Sequence, residues 1–202
     1  GSLETKAVEQ PEQYGAVLTK ANNIKEIATE FDAYLSTLKS DMKATVKDPT
    51  DYEVMDKADY LNNRFFVGDK YKPEGQEFID KVDGYRTYML AVLGSDYPDI
   101  ASFVETNFST DKVLNRDKKE VAWLNYNFEG FPMIASLTKL TQMQADVKTV
   151  NSELLSKFLA GQQAAALSFT QYNTLLETSK SAYYAGEEFD GGIVLGRKDP
   201  NT

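Results

Sequence analysis

Apolar side chains recur along residues 133–158 as Met133, Leu137, Leu140, Met143, Val147, Val150, Leu154 and Phe158, at steps of 4, 3, 3, 4, 3, 4 and 4. That alternation returns a side chain to the same side of a helix about every two turns, so the spacing predicts one long amphipathic helix. The positions between carry mostly Ser, Thr, Lys, Gln, Asp, Asn and Glu. Pro132 falls where the first helical residue is expected, a place where a missing N–H costs nothing and a fixed φ suits the helix. Roughly thirty residues at a rise of ~1.5 Å make a rod of about 45 Å. A rod of that length with one apolar seam needs partners of similar length.

The chain supplies them. Tyr14, Val17, Ala21, Ile24, Ala28, Phe31, Leu35, Leu38 and Met42 form a second seam at alternating steps of 3 and 4. Leu18, Ile27 and Tyr34 widen it beyond a two-helix zipper, which favours a helix buried in an intra-chain bundle over an inter-chain coiled coil. Pro11 suits the start of this helix or a kink in it. Lys39, Lys43 and Lys47 put positive charge at its end, and Asp48-Pro49 stops it. A third helix is predicted from Phe78, Val82, Tyr85, Met89 and Val92, ending at Gly94. A short fourth carries Ile100, Phe103, Val104 and Phe108, with Asp96 and Asp99 as expected caps. Between the first two long elements, Met55, Ala58, Tyr60 and Leu61 suggest a short helix. The adjacent Phe65 and Phe66 are expected to lie across the bundle. Residues 109–120 read as a polar loop. Past Gly161, Ala164 to Ala166 can carry the long helix for about another turn. Tyr172 onward and Ile193 to Arg197 then read as strands, joined by a connection at 179–186.

The expected fold is therefore mainly α: an up-down bundle of long helices with short accessory helices over residues 1–167. Residues 168–202 are expected to be the opening strands of a β-sandwich domain. Two strands alone are marginal, which favours a chain cut from a longer protein, and Gly1-Ser2 looks like a cloning scar.

Composition narrows the chemistry. The 202 residues carry a net charge of −9, which disfavours nucleic acid and anionic membrane as partners. Hydrophobic residues make up 42%, enough for a packed core. There is no Cys and no His. Thiol nucleophiles, zinc sites built on those ligands, Ser-His triads and imidazole switching are thereby excluded. Asp48, Asp51 and Glu53 cluster in one loop and Glu187, Glu188 and Asp190 in another. Either could hold a hard cation, but neither fits a twelve-residue calcium loop, and solvated charge is the favoured reading. Gly191-Gly192 and Gly196 lack the strand-loop-helix context and lysine of a phosphate loop and read as β turns or bulges. Trp123, Tyr126 and Phe128 could form a stacking platform, though core packing is the simpler role. No catalytic, cofactor-binding or metal-binding residue is predicted.

Two stretches carry a family resemblance. The first is Asn127-Phe128-Glu129-Gly130-Phe131-Pro132, followed by Ala135-Ser136, Leu140, Gln144 and Asp146-Val147-Lys148. The second is Ser181-Ala182-Tyr183-Tyr184-Ala185-Gly186-Glu187, running on to Val194-Leu195-Gly196-Arg197. Together they resemble the GldM family, called PorM in some members, of the type IX secretion and gliding-motility machinery. The resemblance is close over residues 121–202 and extends to general layout before that. It implies a homodimeric periplasmic protein anchored in the inner membrane by an N-terminal helix, which would precede this chain. It implies a GldL-like membrane partner driven by proton flow, and a GldK/GldN-like ring on the outer-membrane side reached through distal domains. The implied role is a non-enzymatic, force-transmitting part of a molecular motor, with no cofactor. The competing reading is a ligand-sensing extracytoplasmic bundle, in which Tyr85, Tyr88, Trp123 and Tyr126 would line one pocket.

Overall fold

The computed structural model describes residues 2–9, 11–48, 50–57, 60–170, 172–178 and 191–197. The chain divides into two compact units, Gly1–Leu155 and Ser156–Thr202. The first is helical and follows the apolar seams. Its elements in chain order are α1 (Ser2–Glu9), α2 (Pro11–Ala44), α3 (Tyr52–Lys57), α4 (Tyr60–Phe65), β1 (Phe66–Val67), β2 (Lys70–Tyr71), α5 (Pro73–Leu93), α6 (Pro98–Phe108), β3 (Val113–Leu114), β4 (Glu120–Val121) and α7 (Trp123–Phe128). The last helix, α8 (Met133–Thr170), begins in this unit and ends in the next.

Three long helices make the frame. Phe31 stacks on Tyr85 at 5.0 Å and Tyr34 on Phe78 at 6.3 Å, so α2 and α5 run antiparallel. Lys39 meets Gln144, and Asp32 faces Lys148, so α2 and α8 are antiparallel as well. This is the up-down arrangement the seams predict. All eight seam residues of α8 are buried, from Met133 to Phe158. On α2 every seam residue is buried except Val17, which is half-buried. On α5 the seam shifts by one at its end: Leu93 is fully buried and Val92 only partly. Removing each such side chain from water is worth about 1.5–3 kcal/mol, which is what holds these long helices together.

The short elements close one side of the frame. Phe65 and Phe66 are both buried, as their adjacency requires. Phe65, Phe78, Trp123 and Phe128 form one aromatic cluster, with centroid distances from 5.1 to 6.0 Å. Phe31, Tyr85 and Phe108 form another, joining α6 to α2 and α5. The chain passes from α4 into α5 through the β1–β2 hairpin. There the Phe65 carbonyl accepts a bond from the Lys72 N–H at 2.8 Å. Gly75, in the first turn of α5, lies under that carbonyl: a Cβ there would stand 2.6 Å from the Phe65 oxygen.

Several local expectations are corrected. Residues 109–120 are more than a polar loop, because Val113 and Leu114 pair with Val121 and Glu120 across an Asn115 turn. The β1–β2 hairpin likewise occupies a stretch with too few residues for an alternating pattern to register. Pro132 stands one place before the first residue of α8, its carbonyl accepting from the Ser136 N–H. Asp96 does not cap α6: the capping position is Tyr97, and no side chain bonds there. Asp99 sits in the first turn of α6, where its charge suits the helix dipole.

In the second unit α8 continues past Gly161 to Thr170, three residues beyond the expected limit of the helical region. β5 (Tyr172–Thr178) and β6 (Gly191–Arg197) then pair antiparallel, from Tyr172 opposite Arg197 to Thr178 opposite Gly191. Gly191 and Gly192 open β6 in regular pairing rather than forming a bulge. The connection expected at 179–186 and the acidic group Glu187, Glu188 and Asp190 lie outside the described residues.

Candidate functional site

The acidic loop resolves into local turn chemistry. The Asp48 carboxylate accepts from the N–H and hydroxyl of Thr50 at 2.9 and 2.6 Å. Those bonds hold its carboxyl below the usual range, the hydroxyl bond contributing most. Asp51 accepts from the N–H groups of Glu53 and Val54 and so caps α3. Among the described residues no group of three or more acidic side chains could hold a metal ion.

Among the described residues of the helical unit three polar ones are buried: Ser136, Gln144 and Asp146, all on α8. Each sits beside a seam residue, so each is drawn inward with its neighbour. Gln144 is fully engaged. Its Oε1 accepts from Lys39 Nζ at 2.9 Å, and its Nε2 donates to Ser36 Oγ at 2.7 Å and to the Asp32 carbonyl at 3.2 Å. Burial lowers the Lys39 pKa most, with Lys43 and Lys148 adding to the effect and Asp32 opposing it. Asp146 accepts from Gln142 Nε2 at 2.9 Å. Ser136 Oγ and the Tyr85 hydroxyl are buried without a hydrogen-bond partner. Burial, and then the Asp146 carboxylate, push the Tyr85 hydroxyl's pKa well up, so it stays protonated at neutral pH. A hydroxyl so held, with no base bonded to it, is no nucleophile.

Among the grooves that open on this unit, two are lined by aromatic side chains. The first, of about 470 Å³, lies between α2 and α5. Ile27, Phe31, Tyr85 and Tyr88 give it an aromatic and aliphatic floor, and Glu30, Glu77 and Asp80 an acidic rim. The second, of about 710 Å³, runs between β3, α7 and α8 and includes Val113, Trp123, Tyr126 and Met143. The four aromatics expected in a single sensing pocket are thus divided. Tyr85 and Tyr88 line the first groove, and Trp123 and Tyr126 the second. Of the possible stacking platform, Phe128 is buried, Trp123 packs on Phe78 at 5.9 Å, and only Tyr126 is largely exposed.

Long antiparallel helices, a core filled by aromatic clusters and a buried Gln144 that ties α8 to α2 define a helical-bundle domain. The chain belongs to the GldM family: its residues 1–161 match the GldM N-terminal domain and residues 163–202 the GldM second domain. A search of curated proteins gave no match. GldM proteins are components of the gliding and type IX secretion machinery. They are membrane-anchored and periplasmic, and structural rather than enzymatic. Among the described residues no helix is long and apolar enough to cross a membrane.

The residues quoted for the family resemblance acquire a physical meaning here. Ser136, Gln144 and Asp146 are the three buried polar residues of the described chain. Within the preceding turn, Asn127 bonds Lys139 and the Gly130 N–H donates to Asn62 at 2.9 Å. Of these, Gln144 ties α8 to α2, Asn127 ties α7 to α8, and Asn62 on α4 holds the turn at Gly130.

Proposed function

We propose that this chain is the force-transmitting periplasmic part of an inner-membrane motor protein. It would carry proton-driven motion from the inner membrane toward the outer-membrane side of the type IX secretion and gliding machinery. In this reading the protein is a homodimer. A GldL-like membrane partner acts at its anchoring helix, and a GldK/GldN-like ring is reached through later domains. The observation that supports it is α8, a single 38-residue helix that starts in the bundle and ends beside the β5–β6 hairpin in sequence. A member that passes on a push or a twist must resist bending, and a continuous helix rooted in a filled core does so.

The test breaks the helix beyond its buried seam. Gly161 is exposed, so a short flexible Gly/Ser insert there leaves the seam up to Phe158 intact. In cells producing the full-length protein with this insert, pull-down of the membrane partner is expected to persist while secretion and gliding are lost. Normal secretion and gliding would sink the proposal. For the sensing alternative, the first groove would have to bind a metabolite, and a small ligand that raises the melting temperature would revive it.

A further inference from the structure

The groove between β3, α7 and α8 carries two charged groups that no described residue of opposite charge satisfies. Asp146 lies at its base, 8% exposed, with the neutral Gln142 amide as its donor. Lys139 lies two turns earlier on α8. Its Nζ donates to the neutral Asn127 Oδ1 at 2.9 Å and stands 4.8 Å from the centre of the Phe131 ring. Burial lowers its pKa, a cost that an anion beside it would offset. No described cation lies within 4.0 Å of Asp146 and no described carboxylate within 4.0 Å of Lys139. Between them the wall is formed by Gln142, Met143 and Phe128, with Gln142 turned to Asp146. Leu114 and Tyr126 also border the groove, 64% and 42% exposed, two of the large apolar side chains that the helical unit leaves in water.

We propose that this groove binds an extended peptide segment of a partner protein, with a basic residue on Asp146, an acidic residue on Lys139 and an apolar residue between. Spacing sets the register. Seven helical residues separate the two Cα atoms by about 10.5 Å. The longer Lys139 side chain leans away toward Phe131, so its charge stands further off still. In an extended segment, side chains four apart share a face and lie about 13 Å from each other, with the one at the midpoint facing the same way. The segment therefore reads basic-x-apolar-x-acidic. β3 contributes Val113 and Leu114 to the groove while its partner β4 contributes none, which leaves β3 the nearest backbone for such a segment to follow.

The assay uses the whole 202-residue chain and a fluorescein-labelled seven-residue peptide, Ser-Lys-Thr-Leu-Thr-Glu-Ser, read by fluorescence anisotropy. Saturable binding is expected, weaker by about tenfold for Asp146→Asn and for Lys139→Gln. A control peptide with Ser in place of both Lys and Glu loses both pairs and should bind the unchanged protein more weakly than the charged peptide binds either variant. Should either variant fail to fold by circular dichroism, amide shifts on the unchanged protein replace it, and these must move at Leu114, Tyr126 and Met143. Equal affinity for charged and control peptides, or shifts centred elsewhere, would overturn the proposal. So would a concentration-dependent dimer that Leu114→Ser abolishes, because the groove would then belong to a second copy. None of these readouts depends on force transmission, so this inference can fail without the functional reading failing.

Discussion

At the scale of single residues, the buried polar groups behave in opposite ways. The Tyr85 hydroxyl is buried with no partner, so Tyr85→Phe should leave stability unchanged or raise it by up to about 1 kcal/mol. Urea unfolding at pH 7 measures that directly, and a loss of that size instead would mean the hydroxyl is satisfied in solution. Gln144 is the contrary case. Gln144→Leu strands Lys39 and Ser36 at once and should cost about 1–3 kcal/mol despite adding apolar surface to the core. The sequence shows both residues but not which of them finds partners. Periodicity places Tyr85 on the inner face of α5; it says nothing of what its hydroxyl meets. Gln144 reads as a polar neighbour of Met143, and its inward turn depends on three groups more than 100 positions away.

At the scale of elements, close approach decides the sign of otherwise similar changes. Gly84 and Gly75 both lie in α5. A Cβ at Gly84 meets nothing within 4 Å, so Gly84→Ala should stabilise by about 0.5–1 kcal/mol through helix propensity. Gly75→Ala drives a methyl into the Phe65 carbonyl and should destabilise by about 1–3 kcal/mol. Paired thermal melts test the contrast, and a like response from both would show that the α4–α5 junction yields easily. On α8, Leu140→Asp puts an unpaired charge at a fully buried seam position. Loss of the near-UV signal and of cooperative melting is expected. The long helices were legible because a seam of eight or nine residues fixes both period and face. The two-residue strands β1 to β4 were not, since two residues cannot display an alternation. Nor was the capping of α6, where Pro98 at the first position and the Tyr97 backbone leave Asp96 without a role.

At the scale of the whole molecule, burial of phenols sets the alkaline limit. Tyr34 is pushed up to about 12, mainly by burial and then by Glu77, and Tyr85 is raised further. Between the ordinary tyrosine value near 10 and these raised values, the unfolded chain has lost protons that the folded chain still holds. Stability should thus be intact below pH 10 and fall as pH rises through this window, less steeply in Tyr85→Phe. Denaturant melts at stepped alkaline pH would register the slope, and parallel slopes would contradict it. The division of the four pocket aromatics between two grooves was also invisible in sequence, because it depends on which sides of α5 and α7 face α2 and α8. The Gln144 contact carries one more consequence. Its partners on α2 are spaced along the axis, and Ser40 and Lys43 repeat Ser36 and Lys39 one turn further on. If α8 slid toward the C-terminal end of α2 by a turn, about 5.4 Å, Gln144 would meet a like pair. Sliding the other way would bring Leu35 to the place of Lys39. The polar side of this joint is therefore repeated one turn further on in one direction only, so the side chains on α2 distinguish the two senses of a shift in register.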